Sequence, residues 1–119
     1  MTAGGILIPT IGITTKGETD MHIALAPFEL KAGVSEDALL IASDRFEQEF
    51  ASKQDGIIRR ILVKGGEGDG YADLVFFRDL ESIERVIEAE QNSDVCAALF
   101  SIMDGDGSHH VYEVLKSYE

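Results

Sequence analysis

The pattern of apolar and polar positions becomes regular from residue 21 onward and predicts four strands and two helical regions. Apolar runs of strand length cover residues 21–30, 57–64 and 71–78, and a last strand pattern covers residues 109–118. Between them, apolar residues recur every three or four positions, the period of a helix that buries one face. The predicted order is β-α-β-β-α-β. This is the ferredoxin-like arrangement of an α+β fold, a four-stranded antiparallel sheet with its helices on one face.

Capping residues mark where the predicted helices begin and end. Ser35 precedes the first helical pattern, over residues 36–54, and Asp79 precedes the second; both are good N-caps. Gly56 supplies the stop after the first helix. Ser93 interrupts the second helical region and caps a shorter helix, "DVCAALFSIM". We therefore expect the second helical region in two pieces.

Two of the predicted strands are apolar on both faces. The runs "HIALAPF" and "ADLVFF" lack the alternation expected where one face of an antiparallel sheet meets water. The simplest way to bury the second face is to pack it against the same sheet of a second copy of the chain, so we predict a homodimer packed sheet to sheet. Pro27 within the first run predicts a bulge or a local end of pairing.

Residues 1–20 differ in composition from the domain that we predict over residues 21–119. They are rich in Gly, Thr and Ile and contain Pro9, which suggests an extended arm or an extra edge strand. The stretch 3–14 has no basic residue before it and is far shorter than the roughly 20 apolar residues of a membrane span. We expect a cytoplasmic protein without a membrane partner.

Charge and cysteine usage exclude further classes of function. The formal charge of −12, from 22 acidic against 10 basic residues, disfavours nucleic acid as a partner. A single cysteine, Cys96, excludes an intrachain disulfide. Its neighbours Val95 and Leu99 are apolar at helical spacing, so we expect a buried core residue rather than a nucleophile.

The stretch "MDGDGSHHVYEV", residues 103–114, resembles a metal loop but fails as one. A calcium loop that starts at Asp104 would need Gly at its sixth position and Glu at its twelfth, which are His109 and Leu115. His109 and His110 are adjacent on a strand and point to opposite faces, so they cannot bind one ion together. We predict a turn into the last strand and no metal site.

One histidine of this pair must face the helices. His109 shares a face with Val111, and His110 shares one with Tyr112. Whichever lines the helix side is the best candidate for a general base, because an unperturbed histidine titrates near neutral pH. The alternative is a hydrogen-bonded structural histidine, and His22 on the first strand carries the same ambiguity.

Asp73 is an acidic residue in the middle of an apolar strand. If Lys64 pairs with Tyr71 across the hairpin, Asp73 opposes Leu62 and lies diagonal to Arg60, within reach of a long side chain. One interpretation is a buried Asp73–Arg60 pair, placed at the dimer interface. The other is a pocket carboxylate that orients a histidine.

The segments "FELKAGVSEDALLIASDRFEQEF", "QDGIIRRILVK", "YADLVFFRDLESIERV" and "SDVCAALFSIMD" resemble the dimeric α+β barrel superfamily, especially small domains similar to antibiotic-biosynthesis monooxygenases. The resemblance covers residues 21–118. It implies a dimer with a ligand pocket between each sheet and its helices, and members include cofactor-independent oxygenases and lactone isomerases. The heme-degrading branch uses an Asn-Trp-His set, which this chain does not match, since it has no Trp.

The function expected from these observations is binding of a small aromatic or polyketide-like metabolite, with cofactor-independent monooxygenation or isomerisation as the reaction and no cofactor. Two alternatives stay open: a non-catalytic binder, and a structural dimer whose interior is filled by Phe and Leu. The candidate catalytic residues are His110, His109 and Asp73. The candidate pocket residues are Tyr71, Tyr112, Phe46, Phe50, Phe77 and His22.

Overall fold

The computed structural model describes residues 20–67, 70–105 and 107–118. The elements in chain order are β1 (His22–Leu30), α1 (Glu36–Glu49), a 3-10 turn (Ala51–Lys53), β2 (Ile57–Lys64), β3 (Tyr71–Phe77), α2 (Leu80–Glu90), α3 (Asp94–Phe100), β4 (Met103–Asp104) and β5 (His110–Glu113). The fold is α+β and ferredoxin-like, as predicted. The proposed N-terminal arm lies outside the described residues except for Asp20.

The three predicted N-caps are confirmed by their hydrogen bonds. Ser35 Oγ accepts from the amide of Ala38 at 3.1 Å, and Ser93 Oγ accepts from the amide of Cys96 at 3.2 Å. Asp79 Oδ1 accepts from the amide of Ser82 at 2.8 Å. Each bond satisfies a backbone donor that the first turn of a helix leaves without a partner.

Three predicted element boundaries were wrong. The first helix ends at Glu49 and continues as a separate 3-10 turn, and the third ends at Phe100 instead of residue 103. The last strand is only His110–Glu113, while Met103–Asp104 forms an additional short strand. Residues 114–118 contain no regular secondary structure.

The sheet runs in the order β2-β3-β1, and both β4 and β5 pair with the other edge of β1. All these pairings are antiparallel. Together, β4 and β5 occupy the fourth strand position of the ferredoxin-like sheet, because Met103 pairs with Leu30 near one end of β1 and Glu113 pairs with His22 at the other.

The interruption between β4 and β5 lies opposite Pro27, as its missing N–H predicts. The carbonyl of Met21 accepts from Val114 at 2.8 Å, and the amide of Lys31 donates to Ile102 at 3.0 Å, so odd-numbered residues of β1 direct their backbone toward this edge. Pro27 can donate nothing there. Pairing stops between Leu25 and residue 29, and the described residues between β4 and β5, 105 and 107–109, form no strand.

The helices pack on the sheet face that carries the even-numbered residues of β1. Phe28 of β1 and Phe77 of β3 are buried in the same core as residues from all three helices. The helical members of that core are Leu39, Phe46 and Phe50 near or in α1, Ile83 and Val86 in α2, and Val95, Cys96 and Leu99 in α3. Cys96 is fully buried, which confirms the core assignment from the sequence.

The opposite sheet face carries a second apolar surface, which we call the outer face. It is formed by Ile23, Leu25, Ile61, Leu74 and Phe76. None of these five residues belongs to the buried core or packs against it in the described part of the chain. The same part contains no helix long and apolar enough to span a bilayer.

Candidate functional site

A cavity of about 340 Å³ lies between the sheet and the helices. Its walls are mainly apolar, and residues of the loop between β4 and β5 contribute to one side. The apolar lining comprises Ala24, Ala26, Pro27, Phe28, Phe46, Ile57, Val75, Phe77, Ile83, Val86, Ile87, Phe100 and Met103. Volumes of roughly 300–1,000 Å³ with apolar walls and a few polar groups are typical of small-molecule sites.

The polar groups inside the cavity come from three different elements. Arg60 lies on β2, Asp73 on β3 and Glu90 at the end of α2. Ser108 and His109 add polar side chains from the loop before β5. An ionisable group on an apolar wall must be paired or must shift its pKa, so the partners of each one decide what the site can do.

The pair between Arg60 and Asp73 was predicted from the hairpin register, and the register is confirmed. Lys64 pairs with Tyr71 and Leu62 with Asp73, which places Arg60 on the diagonal. Arg60 Nε donates to Asp73 Oδ2 at 3.0 Å, and the two side chains are only 8% and 13% exposed. The pair faces the helices and the cavity rather than the outer face where a dimer interface was expected.

Arg60 is held by further contacts that use most of its donors. Its Nη2 donates to the hydroxyl of Ser43 at 2.8 Å, and its Nη1 donates to Glu47 at 3.4 Å. The guanidinium carbon lies 4.7 Å from the centre of the Phe46 ring, a distance typical of a cation–π contact. The positive charge of Arg60 is therefore already matched by protein groups.

One oxygen of Asp73 has no partner. Oδ1 is buried and accepts no hydrogen bond in the described structure, while Oδ2 binds Arg60. Burial raises the pKa of Asp73 above its ordinary value, and the neighbouring Arg60 charge opposes that rise. A buried acceptor without a donor is rare in native proteins and calls for a physical explanation.

Glu90 is the second carboxyl of the cavity. Burial, and secondly the nearby Asp73 carboxylate, raise the pKa of Glu90 to about 7. Its side chain is partly buried, and no side chain of the described residues pairs with it. Glu90 can therefore change its charge near neutral pH within an apolar cavity, the property expected of a group that exchanges protons with a ligand.

The structure separates the two adjacent histidines. His109 lines the cavity, whereas His110 pairs with Leu25 and shares its outer face. Tyr112 pairs with Ile23 and lies on the same outer face. The placement of His110 and Tyr112 in the pocket was therefore wrong, because alternation along β5 turns both side chains away from the helices.

The other predicted pocket residues divide between cavity and core. Phe46 and Phe77 line the cavity. Phe50 is buried against Phe46, with ring centres 5.3 Å apart, but does not reach the cavity. Tyr71 stacks on Phe28 at 5.7 Å and donates its hydroxyl to Glu36 at 2.9 Å, which directs it away from the cavity. The prediction that Phe50 and Tyr71 line the pocket was therefore wrong. Phe50 packs in the core, and Tyr71 is held by Phe28 and Glu36.

His22 is also absent from the cavity lining. It faces the helix side at the start of β1, opposite Phe77, and its Nδ1 contacts the backbone carbonyl of Asp20. This local contact explains its position, since it ties the ring to the chain that precedes the strand. These surroundings support a hydrogen-bonded structural role for His22 rather than a role as general base.

The described residues contain no group of three or more His, Cys, Asp or Glu side chains that could hold a metal ion. The Asp-Gly-Asp-Gly stretch is only partly described, because Asp106 lies outside the described residues. Asp104 belongs to β4, and Gly107 adopts a positive φ of 75°, as turn glycines do.

Sequence reasoning missed Glu90 and Ser43 as site residues. Glu90 follows Ile83 and Val86 at helical spacings, so it continues the apolar stripe of α2, and a charged residue in such a stripe was the available signal. Ser43 had no signal of its own, because its role depends on where Arg60 reaches from another element.

Comparisons with known proteins identify the fold. No family model matches the chain, and no curated protein matches it. Among solved structures, it is similar to SnoaB, a cofactor-independent oxygenase from Streptomyces nogalater, with 15% identity and a TM-score of 0.66 over 82% of this chain and 96% of that one.

Two further structures support the same assignment. A proposed antibiotic biosynthesis monooxygenase from Chloroflexus aurantiacus shows 16% identity and a TM-score of 0.63 over 83% of this chain and 97% of that one. A conserved protein from Methanosarcina mazei shows 14% identity and a TM-score of 0.67 over 82% and 95%. The chain therefore shares the ferredoxin-like α+β fold of these structures, which confirms the fold that the resemblance in its sequence implied.

Proposed function

We propose that this protein binds a small aromatic or polyketide-like metabolite in the cavity between sheet and helices and oxidises it without a cofactor. The observation that carries the proposal is the cavity of about 340 Å³, lined by Phe46, Phe77 and Phe100 and containing ionisable groups. A purely structural domain would fill this space with side chains, since protein interiors are packed to crystal-like density.

The reaction class sets a requirement on the substrate. Conversion of a ring methylene to a carbonyl by O₂ releases one water, and all four electrons come from the substrate when no cofactor takes part. An electron-rich hydroxyaromatic compound that carries such a methylene, and can lose a proton from it, meets this requirement. His109 and Glu90, which both line the cavity, are the groups in position to accept that proton.

The adjacent histidines offer a matched test of the catalytic part. Purified protein is incubated with tricyclic hydroxyaromatic compounds and a metal chelator, and O₂ consumption is recorded with an oxygen electrode. We expect His109→Gln to lower the rate by about tenfold to a thousandfold, the range for loss of a general base, and His110→Gln to leave it unchanged. Equal rates for both variants and the parent would refute a catalytic role for His109.

Binding is tested separately from turnover. Ala26 lines the cavity, so Ala26→Leu should weaken binding of the same compounds, whereas Ala97→Leu on the exposed side of α3 should not. Native mass spectrometry reports the bound mass directly. Binding without O₂ consumption would support the non-catalytic alternative, and binding that Ala26→Leu does not change would contradict the cavity as the site.

We also propose that two copies pack through the outer face. Ile23, Leu25, Leu74 and Phe76 form a contiguous apolar surface on the sheet, whereas a half-covered antiparallel sheet usually carries polar residues on its free face. An isologous contact between two such surfaces would bury them symmetrically.

The oligomeric state tests this part. Light scattering after size exclusion should give a dimer for the parent and a monomer for Ile23→Glu, because Ile23 lies between Phe76 and Tyr112 and a buried charge without a partner opposes association. Ile41→Glu is the matched control, since Ile41 is 70% exposed on α1 away from the sheet. A monomeric parent protein would refute the dimer.

A further inference from the structure

We propose that the cavity selects a ligand that carries a protonated amine on its aromatic body, with the ammonium group placed beside Glu90. This inference rests on the proposed function of the cavity and specifies the class of compound that it accepts. The observations behind it are the charges of the cavity, the partners that each charge already has, and the aromatic lining.

Arg60 is the only Lys or Arg among the described residues that line the cavity, and its charge is already paired within the protein. Arg60 binds Asp73 at 3.0 Å, Ser43 at 2.8 Å and Glu47 at 3.4 Å, and it lies against the Phe46 ring. A ligand carboxylate would compete with these contacts for the guanidinium. It would also approach two carboxyls, so the cavity disfavours an anion.

Two hydrogen-bond acceptors of the cavity, by contrast, have no donor among the described side chains. Asp73 Oδ1 has no donor, and Glu90 has no side-chain partner among the described residues. With Arg60, Asp73 and Glu90 all ionised, these three groups carry a net charge of −1. A ligand with one positive charge and N–H donors would neutralise the site and bind Glu90, while Asp73 contributes its charge from β3.

The remaining surroundings suit an aromatic ammonium compound. Phe46, Phe77 and Phe100 line the cavity and present ring surfaces to an aromatic body or to the cation itself. The other titratable groups around Glu90 are His109 from the loop before β5 and Cys96 from α3, whose thiol is buried in the core.

The test compares three probes of the same shape: naphthylmethylamine, naphthylmethanol and naphthoate. The chain contains no Trp, so naphthyl fluorescence can report binding without overlapping emission from indole. At about pH 8 we expect the amine to bind at least about tenfold more tightly than the alcohol, and the carboxylate to bind most weakly. An alkyl ammonium keeps its proton in this range, as lysine does.

Glu90→Gln should remove the preference for the amine, whereas Glu88→Gln, on the exposed side of the same helix, should keep it. In the parent, affinity for the amine should rise by up to about tenfold between pH 6 and pH 8, as Glu90 ionises. His109 also lines the cavity, so His109→Gln is measured in parallel and should keep the dependence.

The outcomes separate this inference from the proposed function. If the three probes bind equally, if naphthoate binds most tightly, or if Glu90→Gln retains the amine preference, the ligand class is wrong while the cavity remains a binding site. If no probe binds, or if Ala26→Leu leaves binding unchanged, both the inference and the proposed cavity function are refuted.

Discussion

Replacement of Arg60 by Met should destabilise the fold strongly and in a pH-dependent manner. The variant keeps most of the apolar stem that packs near Phe46 but removes the only cation that pairs with Asp73 among the described residues. Asp73, whose side chain is 13% exposed, is then left as an uncompensated carboxylate. Breaking a buried ion pair on one side generally lowers stability by about 3–5 kcal/mol.

The pH dependence follows from the proton that Asp73 can take up. Burial already raises the pKa of Asp73, and loss of Arg60 removes the group that opposes this rise. A carboxyl with a raised pKa in the folded state weakens the fold as pH rises above the pKa of the same group in the unfolded chain, near 3.9. Protonation limits the part of the loss that comes from the Asp73 charge to at most about 4 kcal/mol at pH 7 and about 1.5 kcal/mol at pH 5, at 1.36 kcal/mol per pH unit.

Urea denaturation followed by far-UV circular dichroism measures this loss, at equal protein concentration because association would add to stability. Arg45→Met is the matched control: Arg45 Nε also lies 3.0 Å from a carboxylate, Glu49, but both side chains are more than half exposed. That change should lower stability by about 0.5 kcal/mol or less. The double variant Arg60→Met, Asp73→Leu should recover most of the loss. A loss in Arg60→Met that is equal at pH 5 and pH 7 would refute the reasoning.

Three further changes test other parts of the structure. Gly56→Ala should lower stability by about 2 kcal/mol or more, because φ is +106° and the new Cβ would lie 2.2 Å from Ser82 Oγ. Gly33→Ala is the control: φ is also positive, but no atom lies within 4 Å of the new Cβ, so the loss should be only about 1 kcal/mol. Cys96 should not react with a thiol reagent until urea unfolds the protein, because it is fully buried and burial raises its pKa; rapid labelling in native buffer would contradict its placement. Because the pKa of Glu90 is raised to about 7, Glu90→Gln should stabilise the fold by about 1–2 kcal/mol at pH 8, a value halved to allow for solvent screening. The same change should have no effect on stability below pH 4.5. Equal stability differences at both pH values would contradict this.

The sequence was sufficient to predict the element order and the hairpin register for a physical reason. Strand side chains alternate with a period of two, so once Lys64 is paired with Tyr71 the positions of Asp73 and Arg60 follow. Caps were equally predictable, since Ser35 and Asp79 act on backbone amides within their own first turn. Both signals are local and do not depend on how the helices pack.

The placement of the histidines could be predicted only in part. Alternation required His109 and His110 to face opposite sides, but the sequence did not determine which of them faced the helices. That choice depends on how β5 pairs with β1, where His110 lies opposite Leu25. The loop that precedes β5 starts opposite Pro27, so the placement of His109 depends on a pairing interruption in another strand.

The cavity itself illustrates why an apolar pattern predicts a core but not the space within it. Ala24 and Ala26 occupy helix-facing positions of β1, between His22 and the much larger Phe28, and both line the cavity. In a binary pattern an alanine counts the same as a leucine, although it leaves room for several additional carbon atoms. The two small side chains provide the space, and Glu90 becomes a cavity group because α2 places it over that space. Ala26→Leu therefore tests the origin of the cavity as well as its use.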